Sequence, residues 1–269
     1  MQAIKPILRW AGSKQRLLPS LSARCPRVFN KYYEPFAGSA VLFFHLDPRR
    51  AMLADVNPDL INFYRVLKRD PDSLHELVSN ISVGERAYLR IRKRFAEESD
   101  PKLRAGYFWY LNRNCFNGLY RTNRDGYFNV PLGKKLPPMP SIDHARACAK
   151  RLRKASLRAS DYEKVIGEAT DGDFIYVDPP YRRASSRDRG EYGPGAMEDA
   201  DLHRLMSALQ KASDRGALIL FSYNADVSAH LPGWRHEIVN GRYLISADPQ
   251  RRRPISEYTS YNYSLEARL

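Results

Sequence analysis

Two stretches decide the fold: Lys31-Tyr-Tyr-Glu34-Pro-Phe-Ala-Gly38-Ser-Ala40 and, one helix length later, Ala51-Met-Leu-Ala-Asp55. Each carries a short apolar run that ends on polar or small residues, the mark of a strand entering a tight turn. Working outward, the apolar runs are Val28–Glu34, Ala51–Ala54, Phe174–Val177 and Ala217–Ser222. Helical stretches such as Asn57–Lys68 and Ala200–Ser213 alternate with them. Residues 31–56 and 172–240 therefore read as βα units, which predicts an α/β fold: a mostly parallel, Rossmann-like sheet with helices on both faces.

Residues 69–150 break this rhythm. Leu74–Asn80, Arg86–Phe95 and Leu103–Arg113 look helical, and Asn112–Gly133 is dense in Asn, Arg, Tyr and Gly. Within it, Arg121-Thr-Asn-Arg-Asp-Gly-Tyr-Phe-Asn-Val130 reads as a β-hairpin turning at Asp125-Gly126. The expected organisation is a main domain made of 1–68 and 151–269 with a mainly helical, hairpin-bearing subdomain at 69–150, leaving through Leu136-Pro-Pro-Met-Pro140. Arg182–Pro194 and Ala247–Pro254 read as mobile loops.

The chain of 269 residues carries 44 Lys and Arg against 30 Asp and Glu, a net charge of +14. Residues 86–154 hold 17 of the basic and only 5 of the acidic residues, so nearly all the surplus lies in and around the insertion. A solvated surface mixes both signs, so this asymmetry points to a polyanion, nucleic acid above all. No apolar run is long enough to cross a membrane, and the start lacks the apolar stretch of a signal peptide. Cys25, Cys115 and Cys148 form no CxxC pair, and the six histidines show no HxxxH spacing. Neither a disulfide framework nor a metal site is expected, and a reducing cytoplasm fits.

Small residues at Gly38-Ser39-Ala40 let a ligand approach backbone N–H groups where a helix begins, although any tight βα turn also favours glycine. Asp55, at the next strand end, has two readings: acceptor for both hydroxyls of a ribose, or N-cap of the following helix. Together they favour a nucleoside-containing cofactor. No Lys-Ser/Thr follows the glycine, which argues against a Walker-type phosphate loop. The sharpest feature is Asp178-Pro179-Pro180-Tyr181, right after the strand Phe174–Val177. Two prolines force an extended backbone and bring no N–H groups. The Asp178 carboxylate and the Pro179 carbonyl then face one ligand as two acceptors, beside the flat ring of Tyr181. That arrangement suits an exocyclic amino group on a planar base.

At this point the chain resembles the Dam-type DNA adenine-N6 methyltransferases, amino methyltransferases of the alpha group that depend on S-adenosylmethionine. The resemblance runs nearly end to end, through Leu8-Arg-Trp10-Ala-Gly-Ser-Lys14, Glu34-Pro-Phe-Ala-Gly-Ser-Ala40, Leu53-Ala-Asp55-Val-Asn57, Tyr110-Leu-Asn-Arg-Asn-Cys-Phe116-Asn-Gly-Leu-Tyr-Arg121, Phe128-Asn-Val-Pro131-Leu-Gly133 and Asp178-Pro-Pro-Tyr181. It implies a class I methyltransferase sheet with residues 69–150 as the target-recognition subdomain. It implies cofactor contacts at Trp10, Lys14, Asp55 and Asp178. Phe36, Gly38 and Ser39 fall at the methionine end, and Asp161 and Tyr162, after the candidate strand Ala155–Ala159, near the adenine. It implies DNA contacts at Arg9, Phe116, Asn117, Arg121, Pro131 and Lys134. Catalysis falls to Asp178, Pro179, Pro180 and Tyr181, acting on an adenine flipped out of duplex DNA. A monomeric, cytoplasmic, nucleoid-associated enzyme is expected; the sequence does not distinguish a chromosomal enzyme from a phage or mobile-element one, or say whether a restriction enzyme accompanies it.

Two departures stand out. The glycine turn ends in Ala40 where the family tends to carry a second glycine. Lys134 and Arg9 stand where GATC-specific members tend to carry Arg and Lys, and these cations read bases differently. GATC specificity is therefore not carried over. The rivals are an amino methyltransferase acting on RNA or on a protein glutamine, and a catalytically silent DNA-binding subunit. The first usually begins its motif with Asn; the second has no reason to keep Asp178–Tyr181 intact. A cytosine-C5 enzyme would want a Pro-Cys dipeptide, which is absent.

Overall fold

A computed structural model describes residues 4–181, 197–240 and 256–265. The two predicted loops, Arg182–Pro194 and Ala247–Pro254, lie outside the described residues. Seven strands form one sheet: β1 (Tyr32–Glu34), β2 (Ala51–Asp55), β3 (Ala155–Ala159), β4 (Phe174–Val177), β5 (Leu218–Tyr223), β6 (Arg235–Asn240) and β7 (Ser256–Tyr261). Their order is β3-β2-β1-β4-β5-β7-β6. The first five run parallel, and β7 runs antiparallel between β5 and β6. This is the Rossmann-like α/β sheet that the alternation of strands and helices predicts. The order reverses between β1 and β4, so a crevice opens beyond their carboxyl ends, where open α/β sheets take ligands. Glu34 ends β1 and Asp178 follows β4 directly, so the two quoted motifs meet at that crevice.

Alternation along the strands fills both faces. Tyr32, Leu53, Phe174, Tyr176 and Leu220 face one core; Tyr33, Met52, Ala54, Ile175, Val177, Ile219 and Phe221 face the other. The second core is closed by α8 (Tyr162–Gly167) and α9 (Asp199–Asp214). The first is closed by α1 (Leu18–Ser22), α2 (Val41–Leu46), α3 (Pro58–Arg69) and a group of further helices: α4 (Pro71–Ser79), α5 (Glu85–Glu97), α6 (Pro101–Asn114) and α7 (Ile142–Leu152). The chain starts α3, α4 and α6 with the same device. Asn57, Asp70 and Asp100 accept backbone N–H groups ahead of Pro58, Pro71 and Pro101.

The insertion is not a separate body. One continuous apolar cluster runs from Tyr32 and Phe174 on the sheet through Phe63 and Tyr64 of α3 to Phe108, Trp109 and Tyr110 of α6. Helix α6 is buried nearly all round, and Gly106 lets it approach α4: a β-carbon there would stand 2.4 Å from Leu77 Cδ2.

The predicted hairpin forms with its turn shifted by one residue. Gly126 N–H donates to the Asn123 carbonyl (3.1 Å), and Asn129 N–H donates to that of Arg121 (3.0 Å). Asn123–Gly126 is therefore the turn, with Gly126 in the left-handed region at φ +84°. This three-residue loop replaces the tight Asp-Gly turn, because Asn123 Oδ1 also takes the Tyr127 N–H (2.8 Å) and fixes the wider closure.

Candidate active site

A cavity of about 630 Å³ opens at the crevice. Trp10, Lys14, Phe36, Gly38, Ser39, Asp55, Asp161, Tyr162 and Asp178 all line it, with Pro179, Pro180 and Tyr181. Its wall carries six acidic residues (Glu34, Asp55, Asp59, Asp161, Asp178, Asp201) against three basic ones (Lys14, Arg104, Arg204). In a chain of net charge +14, that inversion suits a cationic ligand.

The turn after β1 is held from several sides. Gly38 takes φ +45° and Ala40 φ +52°, both left-handed, so a residue with a β-carbon stands where glycine is favoured. Tyr64 donates its hydroxyl to the Gly38 carbonyl (2.8 Å). Asp55 Oδ2 accepts the Gly38 N–H (3.1 Å) and Oδ1 the Asn57 N–H (2.9 Å). Asp55 does not cap α3: Asn57 does, through the N–H groups of Asp59 and Leu60. That removes the N-cap reading. Burial pushes the Asp55 carboxyl up, with the two N–H groups opposing it. Ser39 donates to, or accepts from, Ser13 across 3.3 Å.

Phe36 and Tyr162 form a stacked pair on one wall, 5.1 Å apart. Arg204 lies over the other face of Tyr162, 4.5 Å from the ring centroid. Asp161 caps α8 at the Glu163 N–H (2.9 Å) and pairs with Arg204 (3.1 Å). On the far wall Trp10 stacks on Tyr120, 6.0 Å between centroids and 18° between planes. Tyr120 donates its hydroxyl to Asp59 (2.8 Å), which Arg104 grips through both carboxylate oxygens. One wall of the cavity thus comes from the residue next to Arg121 in the insertion.

At the carboxyl end of β4, Lys14 is buried and pairs with Asp178 Oδ1. Its ammonium also lies 3.4 Å from Glu257 Oε1 and 4.8 Å from the Tyr181 ring centroid. Burial pushes the Asp178 carboxyl up to about 6; Lys14 opposes this and Glu257 adds to it. Glu34 is deeper and pushed up to about 8, by burial against the Tyr32 hydroxyl bond and with Asp178 and Asp55 adding to it. Glu34 is therefore mostly neutral at pH 7.

None of the DNA-contact candidates lines this cavity, although Arg9 and Arg121 adjoin lining residues; they gather around two loops locked together. Phe116 N–H donates to the Pro131 carbonyl (2.9 Å) and Gly133 N–H to that of Asn114 (2.8 Å). Phe116 and Asn117 project into solvent, and Asn117 adopts φ +53°. Pro131 and Lys134 are exposed beside them. Arg121 is braced across the hairpin, its Nε donating to Asn129 Oδ1 (2.8 Å). Arg9 is the exception. Its backbone is clamped by Asn112 (3.0 and 2.6 Å), and its guanidinium donates to the Arg113 and Cys115 carbonyls at the end of α6 (3.1 and 3.4 Å). It seals a helix end.

Sequence reasoning missed Glu257, Tyr120, Asp59 and Arg104. Glu257 sits in Ser256-Glu-Tyr-Thr-Ser-Tyr261, a polar alternation that reads as an edge strand, yet the residue is only 1% exposed. Among the described residues there is no cluster of His, Cys, Asp or Glu able to hold a metal ion, and no helix long and apolar enough to cross a membrane.

Residues 10–244 match the family model of the D12 class N6 adenine-specific DNA methyltransferases. The Type II methyltransferase M1.LlaDCHI of Lactococcus lactis subsp. cremoris is 34% identical over 229 residues, 81% of each chain. Type II methyltransferase M.MjaIII of Methanocaldococcus jannaschii is 31% identical over 288 residues, 97% of this chain and 99% of its own. A DNA adenine methylase of Vibrio cholerae is 33% identical over 228 residues, 82% of each chain.

Proposed function

The chain belongs to the D12 class of N6 adenine-specific DNA methyltransferases, enzymes that use a methyl donor on adenine in DNA, and from that premise we propose that the donor is S-adenosylmethionine, held in the 630 Å³ cavity. The single observation that carries this is the convergence of the Gly38 turn, Asp55 and Asp178–Tyr181 on one acidic cavity at the sheet's reversal point. Its wall matches the donor part by part. The Phe36–Tyr162 pair offers a flat apolar face for the adenine. Asp55 offers acceptors for ribose hydroxyls. The carboxylates suit a sulfonium, even with Glu34 neutral.

When bound, the donor supplies an electrophilic methyl group, which the adenine amino nitrogen takes up directly. The protein's task is to prepare that nitrogen. Its lone pair is delocalised into the ring and makes it a poor nucleophile. Asp178 and the Pro179 carbonyl accept its two N–H groups and draw it towards tetrahedral geometry. Pro180 keeps the segment extended, and Tyr181 stacks on the base. Asp178 stabilises the positive charge that develops and takes the proton only after transfer. The contribution is orientation and electrostatics rather than strong-base chemistry.

The target base has to leave the duplex to reach this pocket. Phe116 or Asn117, exposed on a strained turn, fills the gap. Arg121, Pro131 and Lys134 face the bases, and residues 69–150 act as the recognition unit. Arg9 supports them from behind by sealing α6. The enzyme works as a monomer. The test is modification-sensitive sequencing of DNA from a methylation-free host that expresses the chain, with purified protein assayed on duplex DNA, RNA and protein. N6-methyladenine at one short sequence is expected. Label confined to RNA or protein overturns the reading.

A further inference from the structure

Lys14 occupies the contacts that the preceding section gives to the adenine. Its ammonium donates to Asp178 Oδ1, where the amino group has to bond, and lies over the face of Tyr181, where the ring has to stack. A buried ammonium cannot give up its carboxylate unpaired; it needs a second anion within reach. Glu257 is that anion. Glu257 Oε1 lies 3.4 Å from the same nitrogen, and Glu257 is 1% exposed.

Glu257 also reaches the catalytic segment from the other side. The Tyr181 hydroxyl donates to both its oxygens (2.9 and 2.7 Å), and the Ser222 hydroxyl on β5 donates to Oε1 (3.0 Å). The ring of Tyr181 is thus anchored at its far end, edge-on to Tyr223 at 6.1 Å. Antiparallel β7 has a function here: it sets this carboxylate behind the Asp178 segment.

We propose that Glu257 is a positioning residue with two tasks, anchoring the Tyr181 ring and receiving the Lys14 ammonium as Asp178 turns to the adenine amino group. This rests on the reading that Asp178 and Tyr181 hold the target base. Lys14 keeps the acceptor site filled while no base is present, and its short transfer to Glu257 keeps the buried charge paired throughout. No bond is made or broken; one hydrogen bond is exchanged for another.

Among the described residues, the charged and titratable groups that face Asp178 include Lys14 from the N-terminal turn, Glu257 from β7, Glu34 from β1 and Tyr176 from its own strand. Replacing Glu257 by glutamine keeps an acceptor for Tyr181 and removes the charge. Lys14 then has Asp178 as its remaining carboxylate at this position, and Asp178 loses a negative neighbour.

The test compares wild type with Glu257→Gln in single-turnover methylation of a duplex, across pH, with 2-aminopurine at the target position reporting base flipping. The expected result is a rate about 10- to 100-fold lower, the scale of misplacing a reacting group, with DNA affinity within about twofold of wild type. The acid limb of the pH profile moves to lower pH, because Asp178 ionises more easily. A wild-type rate with an unmoved acid limb overturns the proposal. If wild type itself methylates no adenine, the earlier reading fails instead. Should Glu257→Gln not fold, Tyr181→Phe carries the test. It removes the anchor while leaving Lys14 paired, so the rate falls and the acid limb stays; an unchanged rate overturns the anchoring.

Discussion

A β-carbon on Gly38 would stand 2.8 Å from Cδ1 of Trp10, well inside carbon–carbon contact. The indole closes over the turn only because that atom is missing, and the turn itself takes a positive φ.

Gly38→Ala therefore strains the backbone by about 1–2 kcal/mol and pushes Trp10 out of the cavity wall. Calorimetric titration with S-adenosylmethionine is expected to show affinity at least ~10-fold weaker, since 1.4 kcal/mol is a factor of ten. Unchanged affinity would separate Trp10 from the donor site.

Asp178→Ala should lower the single-turnover rate by about 10³-fold or more, the scale of losing a key electrostatic group, while duplex binding in a shift assay persists. In wild type the carboxylate form is the active one, and its pKa is pushed up to about 6. The profile of kcat/KM, which reports free enzyme, should fall towards acid through about pH 6 rather than near 4.

Glu34 gives a stability prediction of known sign. Its folded-state pKa is about 8, above the ordinary 4.5, so the native state holds a proton that the unfolded chain has released. Stability from this group is full below about pH 4.5 and declines as pH rises through about 8. Glu34→Gln mimics the neutral form. It should flatten the loss in thermal midpoint between pH 6 and 9, and change little at pH 4 to 5. An equal shift at every pH would mean that Glu34 is already charged.

Arg121→Ala should cut discrimination between the recognition sequence and its single-base variants by about 1–3 kcal/mol. Asn129→Ala, which removes the side-chain half of the Arg121 brace and leaves the backbone carbonyl contact, should cause a smaller loss in the same direction. Steady-state kcat/KM on a panel of duplexes reads both. An equal loss on every sequence would make Arg121 a phosphate contact.

The motif residues were legible because each combines a strand end with an unusual composition. Asp178-Pro-Pro-Tyr181 and Glu34–Ala40 both sit where a short, fully buried strand ends, so pattern and chemistry gave the same position. Glu257 was not legible. It is isolated in a polar strand, and its burial comes from β7 entering the sheet between β5 and β6, a pairing that local pattern does not encode. The Asn123–Gly126 turn escaped for a local reason: one side-chain acceptor, Asn123 Oδ1, outweighs the Asp-Gly preference. Arg9 has a second role that its motif position did not suggest: its guanidinium donates to the Arg113 and Cys115 carbonyls at the end of α6.

The shared core of sheet and insertion limits how such an enzyme changes its target. Phe63 and Phe108 belong to one packed cluster, so exchanging residues 69–150 for another protein's segment disturbs the core beside the proposed donor cavity. If the exposed loops around Phe116 and Lys134 read the bases as proposed, specificity drifts through single changes there, at side chains that bear little of the packing. Hybrids that graft whole recognition segments between relatives should fail by losing the donor, before any question of sequence preference arises.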